Sequence, residues 1–153
     1  TSKNILPKTV LRLAKEFDSI IGIKEASNDI NQYLELINNK PEDFLIISGD
    51  DDLALSSVIA GGDGVISVIG QAFPEKFSKM INYALDNNPL SATSIHEQLI
   101  NITSLIFREN NPAGVKSVLH EMNLCNDVLR LPLLPVSKNL RSEILAELNN
   151  LKL

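Results

Sequence analysis

Ser19-Ile-Ile-Gly-Ile-Lys24 is a short apolar run with β-branched residues that ends on a lysine. A run of this length and composition reads as a strand buried on both faces. Phe44-Leu-Ile-Ile-Ser48 and Val65-Ile-Ser-Val68 repeat the pattern. Around and between the three runs the periodicity changes to that of helices. Leu6, Val10, Leu13, Ala14 and Phe17 come first at helical spacing, with Pro7 suited to a first turn. Asn28 and Asp29 offer an N-cap to the stripe Ile30, Tyr33, Leu34 and Ile37, which Pro41 closes. Asp50, Asp51 and Asp52 open a third helix bearing Leu53, Ala54, Val58 and Ile59, where acidic residues suit the first turn. Gly61-Gly-Asp-Gly64 is a tight turn. Pro74 starts a helix carrying Phe77, Met80, Ile81, Ala84 and Leu85. The order αβαβαβα with short connections predicts a parallel sheet with crossover helices.

After Asn87-Asn88-Pro89 no further strand is expected. Ile95, Leu99, Ile102 and Ile106 predict one helix. Ala113, Val115, Val118, Leu119 and Met122 predict a second, opened by Asn111-Pro112. Leu140, Ile144, Leu145, Leu148 and Leu151 predict a third, with Ser137 as its N-cap. Leu131-Pro-Leu-Leu-Pro135 should be extended, because each proline keeps its predecessor out of the helical region. The expected organisation is an α/β part over residues 1–87 and an all-helical extension over residues 88–153.

Composition narrows the function classes. The 153 residues carry 14 Lys plus Arg against 19 Asp plus Glu, a net charge of −5, which argues against nucleic acid as a partner. The 44% apolar share is that of a globular chain. Cys125, the one cysteine, rules out an internal disulfide framework, suits a reducing cytoplasmic compartment, and is expected to be a small buried apolar group. No apolar run approaches the ~18 residues of a membrane span, so no membrane partner is expected. Thr1 to Lys8 lack the apolar centre of a secretory signal, and without an initiator Met the natural start is expected upstream.

In parallel α/β folds chemistry gathers at the carboxyl ends of the strands. The three ends here are Lys24-Glu25-Ala26-Ser27, Ser48-Gly49-Asp50-Asp51-Asp52 and Ser67-Val68-Ile69-Gly70. Alternation puts Ile20, Gly22 and Lys24 on one strand face and Ile21 and Ile23 on the other. If the isoleucine face meets the helices, Lys24 points to the inner side of the sheet. An isolated ammonium is costly there, so dry surroundings would favour the neutral amine that attacks a ketone to form a Schiff base. The plainer readings are that Lys24 reaches solvent from the strand end or pairs with Glu25. The three aspartates could hold a divalent cation, but an acidic helix N-terminus is the simpler account. Gly61 to Gly64 precede a strand, whereas a phosphate cradle sits between a strand and the helix after it. His96 and His120 have no partner at metal-ligand spacing and read as helix-surface residues. Arg108-Glu109 and Lys138 to Arg141 read as solvated helix ends, and Tyr33 and Tyr83 as packing groups.

Five segments occur in a telling order: Gly22-Ile-Lys-Glu-Ala26, Ser48-Gly-Asp-Asp51, Gly61-Gly-Asp-Gly-Val-Ile-Ser-Val68, Asn111-Pro-Ala-Gly-Val-Lys116 and Leu129-Arg-Leu-Pro-Leu-Leu-Pro135. Together they closely resemble the 4-hydroxy-tetrahydrodipicolinate synthase family of pyruvate-dependent class I aldolases, which has N-acetylneuraminate lyase as a relative. The resemblance runs through nearly the whole chain. It implies a (β/α)8 barrel with a C-terminal helical extension. It implies that Lys24 forms a Schiff base with pyruvate, with no metal and no cofactor beyond this covalent imine. The derived enamine would then attack aspartate semialdehyde in lysine (diaminopimelate) biosynthesis. By the same resemblance Ile66 places its backbone carbonyl by the pyruvate site, and Gly49 lies where backbone must come close to substrate. Glycine there also makes physical sense, since a side chain would fill the mouth of the site.

A (β/α)8 barrel takes ~250 residues and eight strands, and only three strands are read here. The chain therefore resembles the C-terminal part of the barrel, beginning just after the fifth strand. The family's relay Tyr and Thr, and the Arg that grips the second substrate, belong to earlier strands, and the Tyr-Asn-Val-Pro motif is absent. Such a piece exposes two sheet edges and an apolar inner face. Self-association or pairing with the N-terminal half is expected, and little activity alone. The family suggests a homotetrameric parent. The competing readings are a piece of a related sugar-acid aldolase, a non-catalytic assembly partner, and an unrelated small α/β binding domain.

Overall fold

The structure is a computed structural model that describes residues 3–151. Its elements are α1 (Pro7–Glu16), β1 (Gly22–Glu25), α2 (Ile30–Asn39), β2 (Leu45–Ser48), α3 (Ala54–Ile59), β3 (Gly64–Val65), a 3₁₀ turn (Ile69–Gln71), α4 (Pro74–Leu85), α5 (Pro89–Phe107), α6 (Ala113–Glu121) and α7 (Lys138–Asn150). Packing divides the chain into two compact units. The first runs from the start of the described residues to Ser67 and resumes over Lys79–Thr93. The second takes Val68–Ser78 and continues from Ser94 to the end of the described residues.

In the first unit the strands lie in the order β1-β2-β3, all parallel. Gly22 pairs with Leu45, Lys24 with Ile47, and Ile47 in turn with Gly64. α1 and α2 cover one face. Val10, Tyr33, Leu36, Phe44 and Ile46 form the core there, with Ile23, Ile30 and Leu53 packed against it. Asp29 caps α2 by accepting from the Asn31 N–H at 3.0 Å. At the far end of the strands the Gly61–Gly64 turn does structural work. Asp63 accepts from the Ile46 N–H at 2.8 Å and pairs with Lys40 at 3.1 Å, while Lys40 also donates to the Phe44 carbonyl at 2.7 Å. Gly61 takes φ +108°, a region that favours glycine.

Three expectations change here. The strands are not buried on both faces: Leu45 is 40% exposed while its neighbour Ile46 is 1% exposed. Among the described residues of the first unit the packed core lies on one side of the sheet, so the burial alternates. The strands are also shorter than their apolar runs. β1 begins at Gly22, leaving Ile20 and Ile21 exposed before it. β3 holds only Gly64 and Val65, because the backbone turns toward the 3₁₀ segment after Ile66. The aspartate run precedes α3 rather than forming its first turn. Asp50 Oδ1 accepts from the Asp52 and Leu53 N–H groups at 3.0 and 3.3 Å and closes the turn into the helix.

Both α4 and α6 end on an asparagine in the left-handed region, Asn87 at φ 56° and Asn123 at φ 60°. In each case the following N–H reaches back to a helical carbonyl: Asn88 to Tyr83 at 2.8 Å and Leu124 to Leu119 at 2.9 Å. In the second unit Ile102, Ile106, Val118, Leu140 and Ile144 are fully buried. α6 approaches α5 closely at Gly114: a β-carbon there would fall 1.9 Å from the Ile106 carbonyl oxygen. Ser137 caps α7, accepting from the Leu140 N–H at 3.2 Å. Ser137 also donates through both N–H and hydroxyl to Glu109, whose carboxyl these bonds hold below the usual range. Arg141 ties α7 to Glu121 at 2.7 Å and to Asp127 at 3.2 Å. Residues 131–137 carry no helix or strand; Leu131-Pro132 makes a turn, and Leu131 and Leu134 are exposed. Cys125 is exposed, not buried as expected. The Asn123 turn ends α6 and leads Leu124, Cys125 and Asn126 outward.

Candidate active site

Lys24 sits one residue before the carboxyl end of β1. Its neighbours Ile23 and Glu25 turn toward the helical core, Ile23 packed on it and Glu25 3% exposed. Alternation therefore puts Lys24 on the opposite face, with Gly22, Leu45 and Ile47. The expected dry setting is absent: Lys24 is exposed, because that face has no covering layer within the described residues. Its stem is nonetheless guided. A β-carbon placed on Gly49 would fall 2.6 Å from Lys24 Cε and 2.9 Å from Cγ. The lysine thus runs along the bare backbone of the β2 end, and glycine supplies the room. A cavity of about 580 Å³ opens beside this tip, lined by Asn4, Ile5, Lys24, Ala26 and Ser27 among others.

Glu25 does not pair with Lys24. Its carboxylate turns inward and accepts from the Ser27 N–H and from Gln32 Nε2, both at 2.7 Å. Gln32 is itself locked to Asn4 by two side-chain hydrogen bonds of 2.7 and 3.1 Å. Beside it Tyr33 is fully buried, its hydroxyl donating to the Glu25 carbonyl and lying 3.1 Å from Ser48 Oγ. Burial pushes the Tyr33 phenol above its ordinary value, and the Asp50 and Glu25 charges add to the rise against the opposing bond from Ser48. Ser48 Oγ accepts from the Asp50 N–H at 3.3 Å, and its single proton is shared between the Tyr33 oxygen and the Asp50 carbonyl 3.0 Å away. A polar network therefore backs the β1 and β2 ends from the core side. The sequence reading had Tyr33 as packing alone; Gln32 beside it, polar on the covered side of α2, was the one signal of a buried polar layer.

Ile66 follows β3 immediately. Its N–H donates to the Ser48 carbonyl at 2.8 Å and its side chain is 55% exposed. Lys24, Gly49 and Ile66 thus all lie at the carboxyl end of the sheet, in the first unit. The histidines lie elsewhere: His96 on α5 and His120 on α6, with His120 Nδ1 3.3 Å from the Cys125 carbonyl. Among the described residues no three His, Cys, Asp or Glu side chains cluster as a metal site, and no helix is long and apolar enough to cross a membrane.

This arrangement has close counterparts. The chain is 46% identical over 144 residues to the 4-hydroxy-tetrahydrodipicolinate synthase of Flavobacterium psychrophilum, covering 94% of this chain and 49% of that one. With the synthase of Phocaeicola vulgatus the identity is 45% over 153 residues, 100% of this chain and 52% of the relative. The crystal structure of dihydrodipicolinate synthase from Thermotoga maritima superposes with a TM-score of 0.94 at 32% identity, over 97% of this chain and 52% of that one. A chloride-inhibited dihydrodipicolinate synthase from Acinetobacter baumannii, complexed with pyruvate, gives 0.93 at 32% identity, over 97% and 51%. The chain spans about half the length of the curated relatives it matches. The three parallel strands and the helices after them are the C-terminal part of their barrel. Residues 1–151 match the profile of the dihydrodipicolinate synthetase family, and the chain belongs to that family.

Proposed function

We propose that this chain supplies the Schiff-base half of a synthase that condenses pyruvate with aspartate semialdehyde. The observation that carries the reading is the placement of Lys24 on a strand end, its stem laid along Gly49. The neutral amine attacks the keto carbon of pyruvate, the carbinolamine loses water, and the imine forms. Once protonated, the imine draws electrons from the adjacent methyl group, which loses a proton to give the enamine. That carbon then attacks the aldehyde of aspartate semialdehyde. The lysine itself is the covalent carrier, so the reading calls for no metal or separate cofactor. Ile66 and Gly49 would border the keto acid with backbone. The relay residues and the second-substrate Arg come from the other half of the barrel, which would also cover the face bearing Lys24, Leu45 and Ile47 and exclude water there. This is why the chain alone is expected to turn over poorly, to associate with itself or the N-terminal half, and to work in a homotetrameric cytoplasmic parent. The synthase names of the relatives disfavour a sugar-acid aldolase.

Borohydride reduction in the presence of pyruvate tests the reading. A stable adduct should form and map to the peptide containing Lys24, and Lys24→Ala should not form it. An adduct on other lysines only, or none, overturns the assignment.

Gly49 gives a second expected result. A methyl group at Gly49 cannot coexist with the present course of Lys24 Cγ and Cε. The lysine stem can move aside, whereas Ala26 Cβ, 3.0 Å from the new methyl, moves only with its backbone, so Gly49→Ala should cost about 1–2 kcal/mol of stability. It should slow adduct formation by roughly 10- to 100-fold, since the amine is displaced by about an ångström. Trapping rates beside urea unfolding midpoints check this. Equal losses in both measurements would mean that the glycine serves folding rather than the amine.

A further inference from the structure

Tyr33 lies on the covered side of α2, and a fully buried phenol needs partners for its hydroxyl. It finds them at two strand ends at once. The O–H donates to the carbonyl of Glu25, the residue after Lys24, and its oxygen lies 3.1 Å from Oγ of Ser48, the residue before Gly49. The same Glu25 carbonyl accepts from the Gly49 N–H at 2.6 Å. One carbonyl oxygen therefore receives both the tyrosine and the glycine along which the lysine stem runs. The ladder ends here, with Glu25 paired to Ser48. Beyond this pair the loops bond to Glu25 and Ser48 themselves, and the Tyr33 hydroxyl adds a tie from α2 to both of those residues.

The geometry points to Tyr33 as a positioning residue for the Lys24 amine: its hydroxyl joins the β1 and β2 ends and so fixes the Gly49 ledge. This rests on the Schiff-base reading of Lys24. A phenylalanine would fill the same core volume and lose only the tie, which separates positioning from packing.

The test uses the full chain and two readouts. With borohydride trapping over a pyruvate titration, Tyr33→Phe should lower the maximal rate of adduct formation about tenfold and leave the half-saturating pyruvate concentration unchanged. With trace acetylation, which needs no pyruvate, the labelling of Lys24 relative to Lys15 in the same molecules should change by about threefold or more. Ser48→Ala severs the bridge from its other end and should act in the same direction; it decides the matter if Tyr33→Phe does not fold. If wild-type chain forms no adduct, the Schiff-base reading fails, and the acetylation ratio still tests Tyr33. A folded Tyr33→Phe with wild-type trapping rate and wild-type acetylation ratio overturns the proposal. So does a loss confined to stability.

Discussion

Lys24→Ala should reduce condensation by roughly 10⁴-fold or more in a chimera that joins the first half of the Phocaeicola vulgatus relative to this chain. The chimera restores the strands that this chain does not contain, so its parent version is expected to make product from pyruvate and aspartate semialdehyde. The size of the effect follows from what the amine does. In the proposed reaction it is the group that becomes bonded to substrate, and its protonated imine is the electron sink for the new carbanion. No neighbour can take that part. Glu25 faces the core, bonded to Ser27 and Gln32, and Tyr33 is wholly buried. Folding should be almost untouched, because Lys24 is exposed and no strand bond passes through its side chain. Steady-state rates with both substrates, beside an unfolding curve, check this. A residual rate within about tenfold of the parent would mean that some other group carries the chemistry.

Gly114→Ala should destabilise the chain by about 2–4 kcal/mol. Two terms oppose each other. In a helix alanine is favoured over glycine by at most about 1 kcal/mol, and by less at the second residue of α6, where Gly114 stands. Against this, the new β-carbon would fall 1.9 Å from the Ile106 carbonyl oxygen, 2.6 Å from its carbonyl carbon and 2.8 Å from its Cα. All three are backbone atoms of α5, so no side chain can swing away, and α6 itself must shift. Neighbouring Ala113, Val115, Ser117 and Val118 are buried, so the shift disturbs a close-packed layer. Overpacking outweighs propensity. Urea denaturation measures the difference. A gain of up to about 1 kcal/mol, the propensity term alone, would mean that the two helices do not approach as described. Gly114→Val should be worse than Gly114→Ala, since its added methyls enlarge the same clash.

Both expectations depend on a division between what was readable along the chain and what was not. The apolar runs at Ser19–Lys24 and Phe44–Ser48 located two strands because a buried strand has a short local signature, though not its exact ends. Asp29 and Ser137 were legible as caps because a cap is a bond over two or three residues. Val65-Ile-Ser-Val68 was read as one strand, yet the strand runs over Gly64–Val65, with the Ile66 N–H making one more bond to Ser48. Its β-branched residues announce extended backbone, but pairing depends on where the neighbouring strand lies. Cys125 was expected inside on the general habits of cysteine; the turn at Asn123 carries it out.

From local pattern alone came the alternation of strand and helix, the caps, and a lysine at a strand end. These are interactions among residues close in the chain, and their periods are written in the order of side chains. Tertiary structure decided that Glu25 turns inward while Lys24 lies exposed, that Gly49 is a ledge for the lysine stem, and that a tyrosine from α2 ties two strand ends together. Each of those facts joins residues 7 to 25 positions apart, and burial and hydrogen bonding between such residues depend on how layers stack rather than on any spacing within one of them.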